Sequence, residues 1–390
     1  MNSLSLRQLA GPAAAAAVWG LASSMGAPSD MVAVLSAAAW MLVWWVAEAV
    51  PLGVTSVLPL VLFPVLGVTD VASAAAPYGS KYVFLFLGGF LIALALEQWN
   101  LHRRFALKIL VAAGGNPRRL LGGFMIATAG LSMWISNTAT TLMMLPIALS
   151  VLSKINLQHH PRFPMALLLG TAYAANLGGI ATLMGTPPNV AMAGLVEEHI
   201  GVTVPLLEWT LMALPFSVVM LVLVHVLLTR VLCPVGKAEL QGGVVNLRQE
   251  LDALGAWNMA EKRVAWIFGS TALLWVCRRV IVAQTGMALD DTAVAMAAGV
   301  MLFLIPSGQP QSAHTLLVWE DTRRLPWDIL LLFGGGLTLA GQLSEAGVLV
   351  AVAEGLSALP SMSPSYLVAG FVLSSLFLTE IMSNLALTVV

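Results

Sequence analysis

The chain has 390 residues, 59% of them hydrophobic and 9% charged, with 18 Lys and Arg against 19 Asp and Glu. A soluble domain carries about 25% charged residues, and surface-to-volume scaling leaves no single core able to hide this much apolar surface, so the solvent is a bilayer. A formal net charge of -1 gives no electrostatic footing for nucleic acid, and no nucleic-acid partner is expected.

Charge-free runs extend from Leu120 to Ser153, Phe163 to Val196, Trp209 to Thr229, Thr292 to Trp319 and Gly355 to Thr379. Each exceeds the roughly 20 residues that span a hydrocarbon core, and none alternates as a barrel strand would. The predicted class is an all-α polytopic membrane protein, multi-pass in the cell (inner or plasma) membrane. In chain order the apolar segments run over 11–25, 31–67, 82–96, 120–152, 163–196, 209–232, 264–282, 292–305, 329–343 and 365–390. The first reads as a membrane helix rather than a cleaved leader, because further spans follow at once. The second is too long for one helix and divides near Glu48 and Pro51. The polar interval 234–263 is predicted to form a helix along the membrane surface.

Isolated residues have plain readings. Cys233 and Cys277 lie in or beside apolar runs and read as packing residues. His159 and His160 fall in a short polar loop, and His225 reads as a hydrogen-bonded packing residue. Asp290 and Asp291 sit at a helix start, where a capping role is sufficient. Trp44, Trp45, Trp99, Trp209, Trp257 and Trp327 fit an aromatic belt at segment ends.

Two apolar segments share a pattern. Residues 84–94 and 330–340 each carry a glycine cluster within about 15 apolar residues, followed by Glu97 and Glu345 respectively. That length is short for a span, and the glycines suit the turn of a helical hairpin dipping partway into the membrane. Further on, Ser136-Asn137-Thr138 recurs as Ser383-Asn384-Leu385, an offset of 247 positions, and each serine has a hydroxyl four residues before it, Ser132 and Thr379. Interrupted segments at matching places in two halves point to the binding site of a secondary transporter.

The run from Phe163 to Val196 has its own polar break at Gly185-Thr186-Pro187-Pro188-Asn189. Prolines cannot continue a helix but are well placed at the first position of a new one. The chain is therefore expected to unwind at Gly185-Thr186 and to restart at the prolines, with Asn176, Gly178 and Gly179 loosening the approach. Unwound backbone at membrane depth survives only beside protein or water. Freed carbonyls there can hold Na⁺, and half-helix N-termini can hold an anion, which makes a site for a small anion plus sodium without any arginine.

These motifs together resemble the divalent anion/sodium symporter family of dicarboxylate, citrate and sulfate carriers, and the likeness covers most of the chain. The resemblance implies two inverted repeats with re-entrant hairpins and broken transmembrane helices, a scaffold plus a transport domain of elevator type, and a homodimer. It divides the chain into N-terminal scaffold helices (1–76), a first transport-domain repeat (77–208), second scaffold helices with the interfacial loop (209–325) and the start of a second transport-domain repeat (326–390). By position it implies a first sodium site at Ser132, Ser136, Asn137 and Gly185, and a second to which Thr379, Ser383 and Asn384 contribute. The substrate would meet Asn137, Thr138, Thr186, Pro188 and Asn384. Na⁺ is the coupling ion, and no organic cofactor is implied.

The expected activity is Na⁺ symport of di- or tricarboxylates of the succinate, malate, fumarate and citrate class. Leu385 stands where the family has a hydroxyl-bearing or small residue, which keeps a Na⁺-independent dicarboxylate exchanger and a sulfate carrier open. The repeat offset puts the partner of Gly185–Asn189 near positions 432–436, beyond Val390. The second repeat is thus expected to be incomplete at its C-terminal end, and an inactive truncated member stays open as well. No nucleophile dyad, aspartate pair or metal-ligand cluster lies at membrane depth, so the chain is not expected to be an enzyme.

Overall fold

The computed structural model describes residues 3–155, 161–235, 241–309, 315–357, 364–380 and 384–389, and among them the regular structure is helical, with one isolated bridge between Pro306 and Thr315. In chain order the helices are α1 (Ser3–Ser24), α2 (Ser29–Ala47), α3 (Leu52–Ser56), α4 (Pro59–Val65), α5 (Val71–Ala75), α6 (Lys81–Gln98), α7 (Leu101–Ala113), α8 (Pro117–Ser132), α9 (Asn137–Leu152), α10 (Phe163–Ile180) and α11 (Pro187–Ile200). They continue as α12 (Leu206–Val226), α13 (Gln241–Ala253), α14 (Met259–Thr285), α15 (Asp291–Leu304), α16 (Trp327–Glu345), α17 (Val348–Ser357), α18 (Pro364–Leu378) and α19 (Asn384–Val389). Among the described residues, five helical segments are long and apolar enough to cross a membrane: 29–47, 81–98, 163–180, 206–232 and 259–285. The molecule is an all-α polytopic membrane protein.

The helices fall into two compact units. One comprises residues 1–84, 191–203 and 326–390; the other comprises 85–190 and 204–325.

In the first unit, α1 lies along α2 because Gly11 leaves room for the rings of Trp40 and Trp44, and the Trp44 indole donates to Gln8 O at 2.9 Å. The expected division near Pro51 is present: α2 ends on Glu48 in the left-handed region (φ 46°), and α3 starts after Pro51. Helix α16 packs on α3 and on the short turn 76–79. A Cβ at Gly335 would come under 3.0 Å from Ser56 O, and one at Gly334 would strike the Tyr78 ring. Thr338 adds a hydrogen bond to Ala74 O at 2.9 Å.

In the second unit the core gathers between α7, α8, α9 and α10, around Leu107, Leu121, Phe124, Met144, Phe163 and Leu167. Helices α8 and α10 touch backbone to backbone: a Cβ at Gly178 would come under 3.0 Å from Ala129 O. Small residues at such a contact maximise van der Waals packing where lipid supplies no hydrophobic drive. Helix α13 supplies the helix expected in the polar interval. Its Leu247 is fully buried in the core cluster, while Glu250 accepts from Arg103 at 3.0 Å and also from Ser150. Asp290 caps α15 through Thr292 N at 2.8 Å, and Asp291 takes the first N–H of α12, from Leu206, at 3.0 Å. Cys233 and Cys277 are free thiols.

Three expectations need correction. The glycine clusters do not turn the chain, because α6 and α16 run unbroken through them. Their glycines serve close approach instead: a Cβ at Gly88 would lie 2.6 Å from Ala295 C, and one at Gly89 would clash with Met184. The tight hairpin in this region is α8–α9, which reverses at residues 133–136 and carries Ser136-Asn137-Thr138 at its tip. Trp45 is 2% exposed and belongs to the core rather than to a belt, and the buried His225 Nδ1 has no hydrogen-bond partner among the described residues. His159, His160 and Ser383 lie outside the described residues.

The repeat is visible in the backbone. Shifting α7, α8 and α9 by 247 positions lands on the first residues of α17, α18 and α19, and shifting α6 lands within one residue of the start of α16. The left-handed residue between α6 and α7, Asn100, becomes Gly347, which is also left-handed and sits between α16 and α17. There the chain bends by 63°.

Candidate functional site

The site is built where two interrupted elements of the second unit meet: the tip of the α8–α9 hairpin and the break between α10 and α11. Ser136 is the N-cap of α9, and its hydroxyl accepts from Ala139 N at 3.4 Å. The N–H groups of Asn137 and Thr138 start the helix without intrahelical partners. Across the tip, the fully buried Ser132 donates its hydroxyl to Asn137 Oδ1 at 2.8 Å. The other end of the same amide, Asn137 Nδ2, donates to Asn176 Oδ1 of α10 at 3.1 Å.

Helix α10 stops at Ile180 and α11 starts at Pro187, so residues 181–186 form the break, one turn longer than the prolines alone require. Unwinding strands the last carbonyls of α10, which in an apolar surrounding must find donors. They do. Buried Asn189, in the first turn of α11, gives Nδ2 to Gly179 O at 2.9 Å and to Thr182 O at 2.7 Å. Trp209 gives its indole N–H to Ile180 O at 3.0 Å, and Ser217 donates to Leu177 O. The break is therefore a satisfied structure, and most of its freed carbonyls are already engaged.

Thr182 stitches the break to the hairpin tip. Its hydroxyl donates to Met133 O at 2.5 Å and accepts from Gly185 N at 3.1 Å. Gly185 sits so close to the tip that a Cβ there would be 2.7 Å from Ser132 O and 2.5 Å from Gly179 O. Ser132, Asn137 and Gly185 are thus brought together, with Ser136 on the same tip. Thr138 is exposed at the start of α9, and Thr186 and Pro188 are half-buried at the start of α11. Thr379 and Asn384 belong to the first unit, at the end of α18 and the start of α19.

Every oxygen on offer at this junction is neutral: hydroxyl, amide and main-chain carbonyl. Such a set suits a hard monovalent cation, and the charge-free segments on either side add no competing ion. Anion donors are less symmetric than the sequence suggests. Pro187 and Pro188 remove the first two N–H groups of α11, whereas α9 keeps the N–H groups of Asn137 and Thr138. The positive helix end facing this junction is mainly that of α9.

Sequence reasoning misses Thr182 and Asn189 as organisers and assigns Asn176 no contact. Their partners are main-chain atoms or side chains on another element, and the local pattern does not reveal them. An apolar cavity of about 200 Å³ lies behind the tip, lined by residues including Leu96, His102, Phe105, Trp134 and Phe268. Burial pushes the His102 pKa down, and the other residues of the lining are uncharged.

A family model described as citrate transporter matches residues 42–390. The sodium-dependent dicarboxylate transporter SdcS of Staphylococcus saprophyticus is 38% identical over 364 residues, covering 90% of this chain and 70% of the relative. The protein of the same name from Staphylococcus aureus (strain USA300) is 35% identical over 373 residues, covering 92% of this chain and 72% of the relative.

Proposed function

Because this chain belongs to the citrate transporter family, we propose that it carries di- or tricarboxylates of the succinate, malate, fumarate and citrate class across the cell membrane by symport with Na⁺. The observation that carries this reading is the convergence of Ser132, Asn137 and Gly185 in a segment free of charged side chains. The SdcS relatives, described as sodium-dependent dicarboxylate transporters, support both halves of it.

In this reading Ser132, Ser136, Asn137 and Gly185 hold one sodium ion through neutral oxygens. Asn137, Thr138, Thr186 and Pro188 line the adjoining substrate position, where the N–H groups opening α9 face a carboxylate. The cation supplies the positive charge that an arginine supplies elsewhere, so the anion is held well only when sodium is present. Thr379, Ser383 and Asn384 play the matching part in the second repeat. Inverted repeats moving as an elevator within a homodimer belong to the same proposal.

The test is uptake of labelled succinate by the purified protein in proteoliposomes, with an inward Na⁺ gradient or with choline replacing Na⁺, into empty and succinate-loaded vesicles. Na⁺-dependent uptake into empty vesicles supports symport. Uptake confined to loaded vesicles and indifferent to Na⁺ overturns it in favour of exchange, a reading that Leu385 favours by lacking the hydroxyl of Thr138.

A further inference from the structure

Asn176 is a polar side chain on α10, within a run that carries no charge from Phe163 to Val196. Its neighbours Ala174, Ala175, Gly178 and Gly179 are buried against the rest of the unit, and Asn176 itself is exposed. An amide at membrane depth has no use facing lipid. The described partner of its side chain is the Asn137 amide, reached across 39 positions of sequence at 3.1 Å.

The two ends of an asparagine amide have the same shape and differ only in hydrogen bonding, one accepting and the other donating. Asn137 is asked to use them differently, its Oδ1 toward the cation side and its Nδ2 toward an anion. Ser132 alone does not enforce this choice, because a hydroxyl can donate to Oδ1 or, after rotation, accept from Nδ2. In the pairing seen here Asn176 turns its Oδ1 to Asn137 and accepts from Nδ2 at 3.1 Å, and with the amides paired this way Asn137 Oδ1 is left beside Ser132 and Gly179.

We infer that Asn176 is a positioning residue whose side-chain oxygen locks the Asn137 amide with Oδ1 toward the sodium side, setting sodium affinity without touching the ion. This rests on the sodium-coupled reading above. Asn176→Leu keeps the branched shape and removes the acceptor. Asn176→Asp keeps an acceptor oxygen whether it is ionised or protonated, and adds acidic character on the anion side. The two variants separate the lock from mere packing.

The experiment measures the Na⁺-dependent rise in melting temperature of the purified protein in detergent, with choline as control and no substrate present. It also measures the Na⁺ concentration for half-maximal succinate uptake in proteoliposomes. A ligand that binds only the folded state raises the melting temperature by mass action. Asn176→Leu is expected to need about tenfold more Na⁺ on both readouts, the size of one ordinary hydrogen bond. Asn176→Asp is expected to keep the wild-type sodium response while requiring more succinate. Asn176→Ala, which also removes the acceptor, replaces the Leu variant where that one does not fold. Wild-type sodium dependence in the variants lacking the acceptor overturns the inference, and so does equal loss in Asn176→Asp. A wild-type protein that transports succinate but ignores Na⁺ on both readouts overturns the sodium-coupled reading itself, and this inference with it.

Discussion

Gly179 has no side chain where Asn137 needs the space: a Cβ on Gly179 would come under 3.0 Å from Asn137 Oδ1. The amide at the tip of one interrupted element is seated directly on the backbone of the other. A methyl group at Gly179 displaces Asn137 from both Ser132 and Asn176. Gly179→Ala is expected to lower Na⁺-driven uptake by about a hundredfold or more, in line with the cost of about 1 Å misplacement in a positioned site. Gly130→Ala is the control. Nothing lies near a Cβ at that helical position, so uptake should be unchanged and stability equal or higher by up to about 1 kcal/mol.

Asn189 holds the broken helix closed. Removing its amide in Asn189→Ala leaves Gly179 O and Thr182 O without their side-chain donor. Buried unsatisfied acceptors cost about 1–3 kcal/mol, so the melting temperature should fall by several degrees, and uptake should fall with it. An unchanged melting temperature would mean that the break does not need this donor.

Arg104 and Glu261 form a pair at 3.1 Å, with side chains only 4% and 6% exposed. The same guanidinium donates to Gly255 O at 2.8 Å and Leu254 O at 3.0 Å and lies over the Trp257 ring. Breaking one partner of a buried pair strands the other charge, at a cost of about 3–5 kcal/mol. Arg104→Met and Glu261→Met should each be strongly destabilising in thermal unfolding. The double variant should lose clearly less than the two losses added together.

Glu197, at the end of α11, accepts from Lys81 at 2.6 Å, from Thr203 at 3.2 Å and from the Tyr82 hydroxyl. Burial pushes its pKa up, but these hydrogen bonds and the Lys81 charge outweigh burial and hold the carboxyl below its ordinary value. A lowered folded-state pKa means that the unfolded chain takes up the proton first as pH falls. The stabilisation is therefore present above the unfolded-state value and is lost as pH falls through the folded-state value. Glu197→Gln should melt below wild type near neutral pH, and the gap should close in acid. A gap independent of pH would assign the effect to packing.

The all-α membrane class and the division between α10 and α11 were legible because their causes are local. Charge-free runs of spanning length mark helices, and Pro187-Pro188 must begin one. The repeat was legible because Ser136-Asn137 and Ser383-Asn384 preserve both order and spacing. The glycine clusters misled because glycine serves two ends with one composition. It can turn a chain, or it can let another backbone approach, and Gly88 does the latter with Ala295, more than 200 positions away. Beside these two helices the left-handed backbone falls instead at Asn100 and Gly347, just past the end of each. Thr182, Asn189 and Asn176 were unreadable as organisers for the same reason as Gly88, since their meaning lies in what another element presents to them.

The measurement that bears most directly on the central claim is succinate uptake by wild type and Asn137→Ala side by side in proteoliposomes, each with an inward Na⁺ gradient and with choline. Asn137 is the residue on which the cation side and the anion side of the junction both depend. The expected result is uptake by wild type that requires Na⁺, and loss of that uptake in a folded Asn137→Ala protein. Equal uptake by both proteins, or wild-type uptake indifferent to Na⁺, would contradict it.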